Sequence, residues 1–127
     1  MSSKQLWSWA PAVVWTAITF VMSHQPAVTI PFGAPDYVAH AMNYAVLGVL
    51  LIWARAGGEW PVMTMPLMVS AVVIAVLLGI FDEFHQSFIP GRDSSAKDVL
   101  ADAVGACIGV CVVAAVVALR GARARPT

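Results

Sequence analysis

Apolar residues fill this chain in four long blocks, Leu6–Met22, Val38–Ala54, Val62–Ile80 and Val99–Leu119. A helix of about 20 residues crosses a bilayer, and each block approaches or exceeds that length. The segments between the blocks are too short to fold separately. The pattern predicts an all-α polytopic membrane bundle of four transmembrane helices, about 6–22, 38–54, 62–87 and 96–119. Together they form one domain over residues 1–127, with no internal repeat and no low-complexity stretch.

The polar positions carry the functional information. Asp82-Glu83-Phe84-His85-Gln86-Ser87-Phe88-Ile89-Pro90-Gly91-Arg92 follows a segment free of charge from Pro61 onward. Ionisable side chains at the edge of hydrocarbon are costly and usually face protein or water, where they mark function. Asp36, His40 and Tyr44 recur at i, i+4 and i+8 and share one face of the second helix, with Asn43 beside them. Asp36, just after Pro35, begins that helix with its carboxylate near the positive end. On the third helix Asp82, His85 and Gln86 have i, i+3, i+4 spacing, and Glu83 points roughly 100° away from Asp82. Phe88-Ile89-Pro90-Gly91 is apolar but non-helical and is expected to form a short re-entrant loop between helices 3 and 4, covered by protein or water. Ser95-x-x-Asp98 has the capping-box pattern at the start of the fourth helix. Asp98 and Asp102 stack one above the other over Gly105-x-x-x-Gly109. That smooth stripe lets another helix approach closely, so both acids are expected to point into the bundle.

Composition agrees: 60% of residues are hydrophobic and 11% charged, with net charge zero. Apart from the tail arginines Arg120, Arg123 and Arg125 there is no basic patch, which argues against a nucleic-acid partner. Lys and Arg counts orient the bundle. One side carries Lys4, Arg55, Arg120, Arg123 and Arg125; the other carries Arg92 and Lys97. The positive-inside rule then predicts both termini cytoplasmic. All three histidines (His24, His40 and His85) and six of the seven acids, Glu59 being the exception, fall on or near the outer face. The first block is long for a signal peptide and lacks Ala-x-Ala chemistry after it, so it is expected to stay as a helix. Cys107 and Cys111 are read as small buried apolar residues, and the tryptophans as interface anchors.

Three stretches resemble the VanZ-like membrane proteins. Met22-Ser23-His24-Gln25-Pro26 is similar to the family's Ser-x-Gln-Pro. Pro35-Asp36-Tyr37-Val38-Ala39-His40, with Tyr44 and Leu47-Gly48, is similar to its Asp-Lys-x-x-His segment. Phe81 to Arg92, with Asp98-Val99-Leu100 and Gly105, is similar to its Asp-Glu-x-x-Gln-x-Phe-x-Pro-Gly-Arg and Asp-Val-Leu-x-Asn-x-x-Gly. The resemblance spans residues 22 to about 109. Tyr37 stands where the family usually has Lys, and Asp102 where it often has Asn. The family is named for a protein linked to tolerance of glycopeptide antibiotics such as teicoplanin. The resemblance thus implies a bacterial cell-envelope role, in the cytoplasmic (inner) membrane.

Each candidate has a structural reading beside a functional one. Asp36 next to His40 either handles protons or a ligand, or serves as a helix start plus an interhelical hydrogen bond. Asp82, Glu83, His40 and His85 are the candidate acid/base groups, or else a polar network pinning the third helix. Arg92 clamps a phosphate or carboxylate, or bridges to Asp98 or Asp82, the bridge slightly favoured. Asp36, Tyr44, Gln86, Arg92, Asp98, Ser23 and Gln25 are the candidate ligand-binding residues. No residue is assigned as a metal ligand, since no His-x-x-x-His is present and Cys107 and Cys111 read as apolar residues of the fourth helix; a metal held with His40 or Asp98 would be Mg, Mn or Ca, given the oxygen-rich donors. The sequence leaves the cofactor open. Ser23, Ser87, Ser94 and Ser95 lack a Gly-x-Ser-x-Gly context.

Two functions compete. One is a binder of an amphiphilic or lipid-linked envelope ligand, associated with the lipid bilayer. The other is a membrane-embedded hydrolase or transferase acting on a lipid headgroup. A proton-coupled permease is a third, weaker reading, because no polar path continues through Val62–Ile80. Gly105 and Gly109 would serve either a homodimer or the bundle itself.

Overall fold

The computed structural model describes residues 2–25, 35–60 and 62–123. Five helices follow one another: α1 Ser3–Ser8, α2 Ala10–Ser23, α3 Asp36–Arg55, α4 Met65–Gln86 and α5 Ala96–Arg123. Helices α1 and α2 are one span broken at Trp9. Pro11 sits in the first turn of α2 and has no N–H for the preceding turn. Four helices or helix pairs are then long and apolar enough to cross a membrane: Ser3–Ser23, Asp36–Arg55, Met65–Gln86 and Ala96–Arg123. Most of the loop between α2 and α3, Pro61, and Arg125 lie outside the described residues, including Pro26 of the first family-like stretch.

The boundaries have local causes. Ser2 opens α1 with a capping box, its Oγ accepting from Gln5 N–H while Ser2 N–H donates to Gln5 Oε1 at 2.8 Å. The first span therefore begins before Leu6. At the far end of α3, Gly57 and Gly58 take φ of 71° and 83°, a left-handed turn that ends the helix. Pro66 delays α4 to Met65, after an extended Thr64.

The bundle is apolar outside and polar inside at one end. Val13, Val14, Ile18, Val21, Val69, Val73, Leu77, Leu100, Val104, Ile108, Val112 and Leu119 are exposed, as lipid-facing residues would be. Hydrocarbon gives apolar side chains little reason to prefer the protein interior, so backbone proximity decides packing. Helices α3 and α5 form the most extensive interface. A Cβ on Gly105 or Gly109 would overlap the carbonyls of Ala41 and Ala45, and one on Gly48 would lie 2.7 Å from Ala106 O. Gly105 and Gly109 are thus spent on α3, inside the bundle, and are not free to form a dimer seam. The opposite side of α5 carries Cys107 and Cys111, which are exposed, not buried as expected. They stand about 200° around the helix from the glycine stripe.

At the other end Lys4 pairs with Glu59, and Arg55 Nε donates to Ser70 Oγ at 3.1 Å. Trp53 and Trp60 meet edge to face at 5.4 Å. Trp15 departs from the interface role: its indole Nε1 donates to the Asn43 carbonyl at 3.2 Å, tying α2 to α3.

Candidate functional site

Three spans deliver ionisable groups to one end of the bundle because each carries them on the face its neighbours cover. On α4, Ala71, Ala75, Gly79, Asp82, Glu83 and Gln86 form one buried stripe. That stripe turns the expected face. Glu83 is buried with Asp82 and Gln86, whereas His85 is turned aside toward α2. There it stacks on Phe20, with ring centroids 4.2 Å apart, and its Nε2 lies 3.2 Å from His24 Nδ1. His85 sits about 60° from Asp82 on the side away from α5. It therefore does not join the other candidate acid/base residues.

At the centre is His40, 9% exposed. Its Nδ1–H donates to Asp102 Oδ1 at 3.0 Å, and its Nε2 lies 3.9 Å from Glu83 Oε1. The carboxylate that orients this ring comes from α5, not from Asp36 one turn earlier on α3, which is exposed at the helix start. Asp102 is completely buried, and its second oxygen occupies the space that Gly79 leaves by lacking a side chain. Asp102 was expected to face inward but was not among the candidate ligand-binding or acid/base residues. The available signal was its position one turn below Asp98 on the glycine stripe.

A second network reaches from the loop to α2. Arg92 donates to Gln86 Oε1 through Nε at 3.2 Å and through a terminal nitrogen at 2.7 Å. Gln86 Nε2 donates to Asp82 Oδ2 at 3.0 Å, and Ser23 Oγ donates to the same oxygen at 2.7 Å. Arg92 thus bridges to neither Asp98 nor Asp82; among the described residues no carboxylate lies within 4.0 Å of its guanidinium. Gly91, at φ 82°, makes the turn that aims it inward. The expected re-entrant segment is a run of local turns, with Phe88, Ile89 and Arg92 N–H groups each bonded three residues back. Phe84 and Phe88, both exposed, meet edge to face beside it.

The capping box of α5 is assembled differently from the sequence pattern. Ser95 Oγ accepts from Lys97 N–H at 3.1 Å, but Ser95 N–H donates to Glu83 Oε2 at 2.9 Å, not to Asp98. Glu83 thereby locks α4 to the start of α5, and Asp98 is released to face Asp36 and His40. Three carboxylate oxygens, Asp82 Oδ1, Glu83 Oε1 and Asp102 Oδ2, are buried without a partner among the described residues.

Two cavities meet here. A chamber of about 260 Å³ is lined by Ser23, Asp36, His40, Asn43, Asp82 and Arg92 among the apolar Trp15, Ile18, Met22 and Ala39, with Thr19 on its α2 wall. An apolar groove of about 550 Å³ runs between α2 and α4, past Val13, Phe20, Tyr44, Ile74, Leu78 and Phe81. Thr19 and Asp82 belong to both. Tyr44 thus faces the groove, and Gln25 is exposed outside both cavities.

A family profile described as VanZ/LLP1 matches residues 8–118, which includes every residue of the chamber and the groove. No curated protein and no solved structure matches the chain significantly.

Proposed function

We propose, from the premise that this chain belongs to the VanZ/LLP1 family, that this multi-pass membrane protein binds a lipid-linked envelope ligand. The ligand's headgroup would sit in the chamber beside Arg92 and its chain in the α2–α4 groove. The observation that carries this reading is that the two cavities adjoin, with Thr19 and Asp82 lining both. A pocket that is apolar along its length with few convergent polar groups at one end suits an amphiphile. Arg92 without a carboxylate partner favours an anionic head, and a guanidinium grips phosphate bidentately. The charge bias of Lys and Arg supports a chamber at the outer leaflet of a bacterial cytoplasmic membrane, with both termini inside. Capture of an envelope lipid there is consistent with the glycopeptide (teicoplanin-type) tolerance associated with the family's name.

The test is binding of undecaprenyl phosphate to the full chain in nanodiscs, read by native mass spectrometry. Arg92→Gln should weaken it about tenfold, equivalent to about 1.4 kcal/mol. Binding equal in wild type and variant would reject the headgroup assignment.

One observation favours a hydrolase or transferase as the second reading. His40 is held at Nδ1 by a buried carboxylate while Nε2 faces Glu83, a geometry suited to proton transfer. Turnover of the bound lipid abolished by Glu83→Gln would replace the binder with the enzyme. Unchanged lipid after prolonged incubation would reject the enzyme.

A further inference from the structure

We propose that Asp36, His40 and Asp98 bind a divalent cation, with Glu83 as the adjoining carboxylate and Asp102 positioning the imidazole. One donor atom from each of the first three lies within 4.8 Å of the other two. Asp36 and Asp98 stand in the first turns of α3 and α5, brought face to face by the close α3–α5 seam. Among the described residues no Lys or Arg lies within 4.0 Å of either acid. The two helix N-termini offset part of their mutual repulsion.

A second observation points independently to a cation. Glu83 is 3% exposed, and its Oε1 has no hydrogen-bond partner although it is directed at His40 Nε2, 3.9 Å away. Its other oxygen is already committed to the Ser95 N–H. The opposite nitrogen of the same ring is committed to Asp102. An imidazole whose Nδ1–H is held by a carboxylate presents Nε2 as a fixed, basic lone pair, which is the usual support of a metal-ligating histidine. Two carboxylates and one imidazole, with a third carboxylate adjoining and no thiolate, suit Mn²⁺ better than a soft metal. Asp36 and His40 line the chamber, so an ion has both an entry path and open positions. A cation there would also neutralise the acids beside an anionic headgroup next to Arg92; that consequence rests on the proposed function, whereas the metal site does not.

The experiment uses the full chain in nanodiscs, stripped with EDTA and titrated with Mn²⁺ alone, free ion being followed by electron paramagnetic resonance. Saturation at one Mn²⁺ per chain is expected, with nitrogen modulation from one imidazole in the spin-echo spectrum. Asp98→Asn and His40→Gln should each weaken binding at least tenfold, and His40→Gln should erase the nitrogen modulation. Asp102→Asn should weaken binding about tenfold while keeping that modulation, as second-shell changes do. Asp93→Asn, at an exposed acid of the loop, should bind as wild type. Should a variant fail to fold, the nitrogen signal of wild type alone still decides. Non-saturable binding, bound Mn²⁺ without nitrogen modulation, or wild-type affinity in folded Asp98→Asn would overturn the site. Lipid binding that persists in EDTA while Mn²⁺ fails to bind would sink this inference and leave the lipid reading standing; Mn²⁺ binding without lipid binding would do the reverse.

Discussion

Helix α3 meets α5 backbone to backbone, whereas α2 meets α4 across a groove of about 550 Å³. The first contact is made by Ala41, Ala45 and Gly48 against Gly105, Ala106 and Gly109, with no side chain long enough to swing. The second is made by Val13, Phe20, Ile74, Leu78 and Phe81, which leave space between them. In a bilayer a seam of small residues gains its stability from van der Waals contact and close hydrogen bonding. It therefore fixes what it carries, and it carries His40, Asp98 and Asp102. The loosely filled side leaves room, and Asp82 marks where that room meets the fixed groups. Position and accommodation are thus assigned to different helix pairs.

The largest expected effect comes from forcing the seam apart. Gly105→Ala puts a methyl group into the Ala41 carbonyl and should destabilise the protein by about 1–3 kcal/mol, as overpacking does. Thermal unfolding in detergent reads it, and Gly121→Ala, where nothing lies within 4 Å of a new Cβ, should be neutral to slightly stabilising, since Ala is the better helix former. An unaltered midpoint in Gly105→Ala would mean that α3 and α5 do not cross there.

Removal of the buried carboxylate comes next. Asp102→Ala strands His40 Nδ1 in the interior and should cost about 1–3 kcal/mol. Adding His40→Ala should then cost less than the sum of the two single changes by at least about 0.5 kcal/mol, because both belong to one network. Strict additivity would dissolve the pair.

Filling the groove separates room from stability. Leu78→Trp should leave the unfolding midpoint within a few degrees of wild type while removing most binding of undecaprenyl phosphate. A large drop in stability with binding retained would show a packed interface where the structure has a cavity.

The smallest effect lies at the opposite end. The Lys4 ammonium, hydrogen-bonded to Glu59, holds that carboxyl below its usual range. A depressed folded-state value stabilises only above the unfolded value and is lost as pH falls through the folded one. Both side chains are exposed, so Glu59→Gln should shift the midpoint barely or not at all at neutral pH, and less still in acid. A shift matching that of Asp102→Ala would contradict the ranking of the two ends.

Much of this was legible in the chain. The four apolar blocks gave the spans because length alone decides whether a helix crosses, and Gly105-x-x-x-Gly109 identified the face of α5 that a neighbour covers. Ser2-x-x-Gln5 was an equally local signal for an earlier start of the first span. Partner choice was not legible. Asp36 is one turn from His40, but Asp102, sixty-two positions away, is the acid that bonds it. Periodicity grouped His85 with Asp82, yet whether a flanking residue turns toward α5 or α2 depends on where those helices lie. Glu83 went to one side and His85 to the other. Arg92 was read against acids nearby in sequence, and the turn at Gly91 instead set it on the Gln86 amide. Local spacing fixes a face; only the packed neighbours choose the partner.

The most direct measurement is a double-mutant cycle in lipid affinity, with Arg92→Gln in the chamber and Leu78→Trp in the groove. Undecaprenyl phosphate binding to the full chain in nanodiscs would be measured for wild type, both single variants and the double variant. One ligand held at both ends predicts that each single change weakens the same one-to-one binding event and that the double variant binds more weakly than either. Affinity unchanged by Leu78→Trp while Arg92→Gln weakens it would mean that the chain does not lie in the groove.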